Sequence, residues 1–254
     1  MQLLKYNLKR KNFHYPIIRI LLTSLLVVAS LTKPFISVAQ DKQYRLYYQN
    51  KYTLNERWRI LSLSGIYRGI SESNWVRLEL RSGGYYQYNR DIELFGTLRT
   101  HFTFDDEGNQ FELRPFQGAH IVWPRINYIR FRNRFIIEER FLWSADTDGF
   151  DFFGRLRYRL ETSIPLNNPS VVNNTYYLRP MIEMFINLAS TDESSHISNW
   201  KLSMVFGYRF TQKYAAEFRY EFQTTQNDVD ASERDKTHIF RLRFIHTLFR
   251  NRED

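Results

Sequence analysis

Between Arg155 and Ile164 the chain reads Arg-Leu-Arg-Tyr-Arg-Leu-Glu-Thr-Ser-Ile, with a charge at every other position as far as Glu161. Strand side chains alternate between two faces, so Arg155, Arg157, Arg159 and Glu161 share one face. Leu156, Tyr158, Leu160 and Ile164 share the other. A soluble sandwich buries such an apolar face and leaves the charges in water. A membrane β-barrel inverts the arrangement, with an apolar exterior and a polar interior.

The pattern recurs along the chain. In 126–143, Arg130, Arg132, Arg134, Ile136, Glu138 and Arg140 oppose Ile129, Phe131, Phe135, Ile137 and Phe141. In 174–189, Arg179 and Glu183 oppose Leu178, Ile182, Met184 and Ile186. In 199–210, Lys201 and Arg209 oppose Leu202, Met204 and Phe206, and in 214–225 Glu217, Arg219 and Glu221 oppose Phe218, Tyr220 and Phe222. The last segment sets Arg241 and Arg243 against Phe240, Leu242 and Phe244. A charge facing lipid near the midplane costs ~2–4 kcal/mol, so these charges are expected to line a lumen. Two uses of such a lumen stay open: a plug of ion pairs that holds a closed barrel, or an arginine-rich path that selects anions.

The first residues supply the context. Lys5, Lys9, Arg10 and Lys11 precede an apolar run from Ile20 to Leu31, and Ser37-Val38-Ala39 follows. A basic start, a short apolar run and small residues before the cut describe a secretory signal peptide over 1–39. The apolar run is shorter than the ~20 residues of a spanning helix. A single barrel domain over 40–254 is expected to follow, in the outer membrane of a Gram-negative envelope. Its expected partners are membrane lipid, lipopolysaccharide and the machinery that assembles barrels.

Charge and cysteine usage exclude other classes. The chain holds 36 Lys and Arg against 27 Asp and Glu, but 1–39 contributes six of the bases and no acid. The remaining excess is small and its bases are interleaved with acids, so nucleic acid is not an expected partner. The chain has no cysteine. Disulfides, thiolate chemistry, cysteine-ligated metals and a lipoprotein anchor are thereby excluded. Aromatic residues make up 17% of the chain, matching the interfacial girdles of membrane barrels.

Strand patterns are expected over 44–53, 57–68, 74–88, 91–104, 111–123, 126–143, 152–165, 174–189, 199–210, 214–225 and 236–249. Bacterial single-chain barrels have even strand counts. The eleven segments therefore predict an antiparallel barrel of ten to twelve strands. Ten, the preferred count, follow if 44–53 does not span, and twelve if Gly83-Gly84 divides 74–88. The connections 105–110, 144–151, 190–198 and 226–235 read as long and acidic. Those at 89–90, 124–125 and 211–213 read as tight, with 167–173 the exception. Long outer loops alternating with short inner turns are a barrel property.

Catalytic signals are weak. His101, His120, His196, His238 and His246 are scattered and have no metal-site spacing. His196 follows Asp192, Glu193, Ser194 and Ser195, but adjacent residues of one loop do not hold a triad's geometry. His238 and His246 fall on the apolar face of the last segment. No cofactor is expected. A non-enzymatic barrel, structural, binding or a narrow pore for small anionic solutes, is the leading expectation. A hydrolase with its site at the rim and a secreted lipid-binding barrel are the alternatives.

The runs Glu112-Leu-Arg-Pro-Phe-Gln-Gly118, Arg130-Phe-Arg-Asn-Arg134, Ile137-Glu-Glu-Arg-Phe141 and Gly154-Arg-Leu-Arg-Tyr-Arg-Leu160 resemble one family. It is the set of outer-membrane barrel proteins catalogued as domain of unknown function twenty-four-ninety. Glu183-Met-Phe-Ile-Asn-Leu188 and Phe218-Arg-Tyr-Glu-Phe222 are similar to its second half. The resemblance implies a Gram-negative outer-membrane barrel and assigns no activity, ligand or catalytic residue. One departure is the tail Arg250-Asn-Arg-Glu-Asp254 after Phe249, where such barrels commonly end on an aromatic.

Overall fold

Alternating faces and turn-forming residues between them give an unbroken meander. In the computed structural model, eleven strands close into one barrel. The structure describes residues 41–70, 75–106, 108–145, 149–188, 197–226 and 234–249. The expected signal peptide, His196 with its acidic neighbours, and the tail after Phe249 lie outside these residues. The strands are β1 (Asp41–Thr53), β2 (Trp58–Gly69), β3 (Val76–Gln87), β4 (Ile92–Phe104), β5 (Gln110–Val122) and β6 (Arg130–Ser144). They continue with β7 (Gly149–Pro165), β8 (Thr175–Asn187), β9 (Ile197–Arg209), β10 (Tyr214–Gln226) and β11 (Arg234–Phe249).

Each strand pairs antiparallel with its chain neighbours, and the barrel closes through a parallel pair of β1 with β11. This corrects the expectation of ten strands in a wholly antiparallel barrel. β1 was the segment set aside to reach an even count, yet it pairs with β2 from Gln43 to Thr53 and with β11 from Asp41 to Thr53. An up-and-down meander with an odd count brings its first and last strands together parallel. It also places the start of β1 and the end of β11 at opposite ends of the barrel. Nor does the glycine pair divide β3, which runs through Gly83 and Gly84 in register with β2 and β4.

Three of the connections are built alike. The side chain of Asn55 accepts from the backbone amides of Arg57 and Trp58 at 2.9 and 2.8 Å. Asn89 accepts in the same way from Asp91 and Ile92, and Thr211 from Lys213 and Tyr214. Such side-chain turns replace the backbone pairing that the chain loses where it reverses. The same end of the barrel also carries 123–129, closed by an Ile126–Ile129 bridge with Asn127 at φ 55°, and the connection 166–174.

Connection length does not sort between the two ends as expected, because β5, β6 and β7 extend into the segments read as loops. Charge does sort. The connections 70–75, 105–109, 145–148, 188–196 and 227–233 contain eleven Asp and Glu and no Lys or Arg. Those at the other end hold Glu56 and Asp91 against Arg57, Arg90, Arg125 and Lys213.

The exterior is apolar. Leu46, Ile66, Leu80, Leu98, Ile137, Leu202, Phe206, Phe218 and Leu242 are all exposed, one strand after another. Aromatic rings gather toward both ends of this face. Trp58 meets Tyr86, and Tyr176 meets Tyr208, at the tight-turn end. Phe102, Phe111, Trp143 and Phe150 form a chain of ring contacts at the acidic end. The interior is therefore where the charges of the alternating pattern meet.

Candidate functional site: the lumen

All eleven strands contribute to a central cavity of about 510 Å³. Nineteen Lys and Arg side chains border it. Among the described residues, eight glutamates are buried on the inner faces: Glu79, Glu93, Glu112, Glu138, Glu161, Glu183, Glu217 and Glu221. The excess is eleven positive charges.

Every lumen residue expected from the sequence borders this cavity except Arg130 and Glu138. Glu138 lies behind the cavity wall, at 0% exposure, covered by the arginines that it holds. Arg130 is a correction. It opens β6 at the rim and is exposed, because the chain reaches the barrel only at that residue after the 123–129 connection.

The glutamates act as nodes. Glu138 receives Arg155 and Arg157 at 2.6 Å each, with Arg114 at 3.7 Å. Arg157 turns its Nε and Nη2 to Glu183, at 3.2 and 2.8 Å, and Glu183 also accepts from Arg159 at 2.9 Å. Arg159 approaches Glu161, which accepts from Arg132. In the other direction Arg114 and Arg140 both donate to Glu112, each at 2.5 Å. His101 bridges Glu112, at 3.1 Å, to Glu79, at 3.4 Å, and Glu79 pairs with Arg99. From Arg132 to Arg99 this is one continuous polar chain across β3 to β8, made of ion pairs except at His101, which hydrogen-bonds to Glu112 and Glu79. Glu217 holds Arg243 and Arg179 and accepts from the Tyr177 hydroxyl at 2.7 Å. Glu221 gathers Arg241, Arg219 and Lys201. Glu93 joins Arg59 to His120. Charge-assisted bonds of this kind are stronger than neutral ones, and the planar arginine fork suits carboxylates.

Register exposes what the glutamates leave unbalanced. Arg45, Arg241 and Arg219 stand directly opposite one another on β1, β11 and β10. Arg81, Arg99 and Arg114 do the same on β3, β4 and β5, and Arg134 faces Arg159 on β6 and β7. Like charges directly opposite destabilise a sheet. In each row every member but one reaches a glutamate. Among the described residues, Arg45, Arg81 and Arg134 have no carboxylate within 4.0 Å. The Nε–H of each is buried and has no hydrogen-bond acceptor.

The wall is not charged throughout. Tyr85, Phe95, Phe116 and Ile136 pack together inside the barrel, as do Tyr47, Leu63 and Tyr67. Guanidinium groups lie over these rings: Arg134 over Phe95 at 4.9 Å, Arg45 over Tyr67 at 4.5 Å and Arg241 over Tyr47 at 4.8 Å. Tyr47 and Tyr177 lie against the backbones of Gly65 and Gly207, which leave room for the rings because they lack a Cβ.

The sequence reading missed the inner faces of β1 to β5, including Glu79, Glu93, Glu112, Arg81, Arg99 and Arg114. A signal was present in Arg77-Leu-Glu79-Leu-Arg81 and Glu112-Leu-Arg114, which alternate like β7. The histidines divide between the two faces. His101 and His120 are buried partners of glutamate in the lumen, while His238 and His246 pair outside with the hydroxyls of Tyr220 and Tyr48.

No curated protein matches this chain. The model of a family described as a protein of unknown function, DUF2490, matches residues 43–234, from the first strand to the start of the last. The chain belongs to that family.

Proposed function

We propose that this protein is an outer-membrane β-barrel whose cationic lumen takes up small anionic solutes without catalysing a reaction on them. The observation that carries this reading is the excess of eleven positive charges around one cavity inside a closed barrel with an apolar exterior. Strands of 12 to 17 residues exceed the ~9–11 that a tilted strand needs to cross a bilayer. The exposed apolar side chains suit lipid, and the aromatic clusters at both ends suit its two interfaces.

The glutamate nodes support a binding barrel rather than a solid plug. They fix most of the arginines as a rigid wall but neutralise fewer than half of the positive charges. A salt-bridged plug needs near balance, because an uncompensated charge away from bulk water is costly. Fractionation of cells producing the full chain, with insertion of the purified mature protein into lipid vesicles, tests this reading. Recovery in the outer membrane and protease-protected strands in vesicles are expected. A freely soluble periplasmic product that ignores vesicles contradicts it.

A further inference from the structure

Three guanidinium groups inside the barrel have a common character. Arg45, Arg81 and Arg134 each end or flank a row of facing arginines, and each is the member that no glutamate reaches. They come from β1, β3 and β6, spread around about half of the wall, and all border the same cavity. Two of them stack on aromatic rings. Arg45 lies on Tyr67 and donates to Gln43 at 2.7 Å, and Arg134 lies on Phe95. Arg81 faces Leu63 on β2 and Arg99 on β4. The stacking holds the Arg45 and Arg134 guanidinium planes in place. The Nε–H donors of all three lack an acceptor, as do those of Arg99, Arg219 and Arg241, so what sets the three apart is the missing carboxylate.

We propose that Arg45, Arg81 and Arg134 form one site at the waist of the lumen for a multiply charged oxyanion of the phosphate class. This deepens the reading of an anion-accepting lumen and rests on it. Chloride offers a guanidinium no second acceptor, whereas a phosphoryl group presents several oxygens in a geometry that matches the arginine fork. A multivalent ion also offsets more than one of the charges that border the cavity. The neighbouring arginines Arg99, Arg159, Arg219 and Arg241 are held by glutamates and shape the positive field without competing for the same oxygens. Lys51, Arg77 and Arg209 also lack a carboxylate partner among the described residues, but they stand near strand ends, outside the three rows.

Pyrophosphate binding to the mature protein in detergent micelles, by calorimetry and thermal unfolding, tests the site apart from any membrane. Pyrophosphate is expected to bind and raise the unfolding temperature, where sodium chloride of equal ionic strength does not. Arg81→Met and Arg134→Met are expected to weaken binding about tenfold or more each, the loss of one charge-assisted contact. Without ligand these variants should be as stable as the parent or more so, since no carboxylate loses a partner. Arg81→Lys and Arg134→Lys keep the charge but lose the fork, and should fall between. Binding unchanged in the Met variants, or no response beyond that to chloride, overturns the site. Should one Met variant fail to fold, Arg45→Met tests the same site from β1. Failure of all three to fold would show that these arginines are structural and also overturns it. Anion passage without pyrophosphate binding overturns the site alone. Pyrophosphate binding by a protein that never enters a membrane supports the site and overturns the outer-membrane reading.

Discussion

Arg134 and Arg159 face each other directly across β6 and β7, yet only Arg159 reaches a carboxylate. Arg159 bonds to Glu183 at 2.9 Å, while Arg134 rests on the Phe95 ring at 4.9 Å. The same asymmetry in the other two arginine rows produces a lumen that is rigid and still strongly positive. Rigidity comes from the paired members and unmet charge from the unpaired ones.

Glu138 is fully buried and holds Arg155, Arg157 and Arg114. Glu138→Gln keeps the shape and removes the charge, leaving Arg155 without a carboxylate and Arg157 and Arg114 with one each, Glu183 and Glu112. Breaking a buried ion pair from one side costs ~3–5 kcal/mol. A loss in that range is expected in urea unfolding of the micelle-bound barrel. A change below ~1 kcal/mol would show that the node is not structural.

Tyr177 packs on Gly207 and donates to Glu217 at 2.7 Å. A methyl group at position 207 would run into the ring, so Gly207→Ala is expected to cost ~1–3 kcal/mol through overpacking. Tyr177→Phe should cost ~1.5–3 kcal/mol, through the lost bond to a charged acceptor. Combining Gly207→Ala with Tyr177→Ala should recover the overpacking part of the loss, which a double-mutant cycle measures as coupling. Strict additivity would contradict the contact.

The absence of native cysteine makes the closing seam directly testable. Leu46 and Leu242 are registered partners on β1 and β11. The pair Leu46→Cys and Leu242→Cys should form a disulfide under mild oxidation, since facing Cα atoms across a strand pair fall within the span a disulfide bridges. Leu46→Cys with Leu248→Cys, six residues out of register, should not. Crosslinking of the second pair and not the first would mean that the barrel closes without β1 in this register.

An odd strand count also sets where the first strand begins and the last strand ends. β1 begins and β11 ends at opposite ends of the barrel. On the proposed membrane-spanning reading, tags before Asp41 and after Phe249 should be protected from protease on opposite sides of a vesicle. Both tags cleaved from one side in a uniformly oriented preparation would contradict eleven spanning strands.

The sequence displayed the second half of this barrel far better than the first. In β6 and β7 the inner face carries runs of charge, so period two stands out at Arg155, Arg157 and Arg159. In β2, β4 and β5 inner positions hold Leu61, Leu63, Phe95 and Phe116, so both faces are apolar and alternation loses contrast. His101 and His120 looked scattered because their partners, Glu112 and Glu93, lie on other strands and meet them only through register. The preference for ten strands failed for a related reason. Whether 41–53 spans depends on an edge supplied by β11, nearly two hundred residues away in the chain, and no local pattern encodes that pairing. The unmatched arginines were likewise invisible, because being unmatched is a property of cross-strand geometry and not of composition.

The reversal potential of the purified mature protein in a planar bilayer under a potassium chloride gradient tests the cationic lumen most directly. A positively charged path admits chloride in preference to potassium, so the potential should take the sign of anion selectivity. It should move toward zero in Arg81→Glu with Arg134→Glu. Cation-selective openings, or a potential unmoved by those two charge reversals, would contradict a lumen governed by its unpaired arginines.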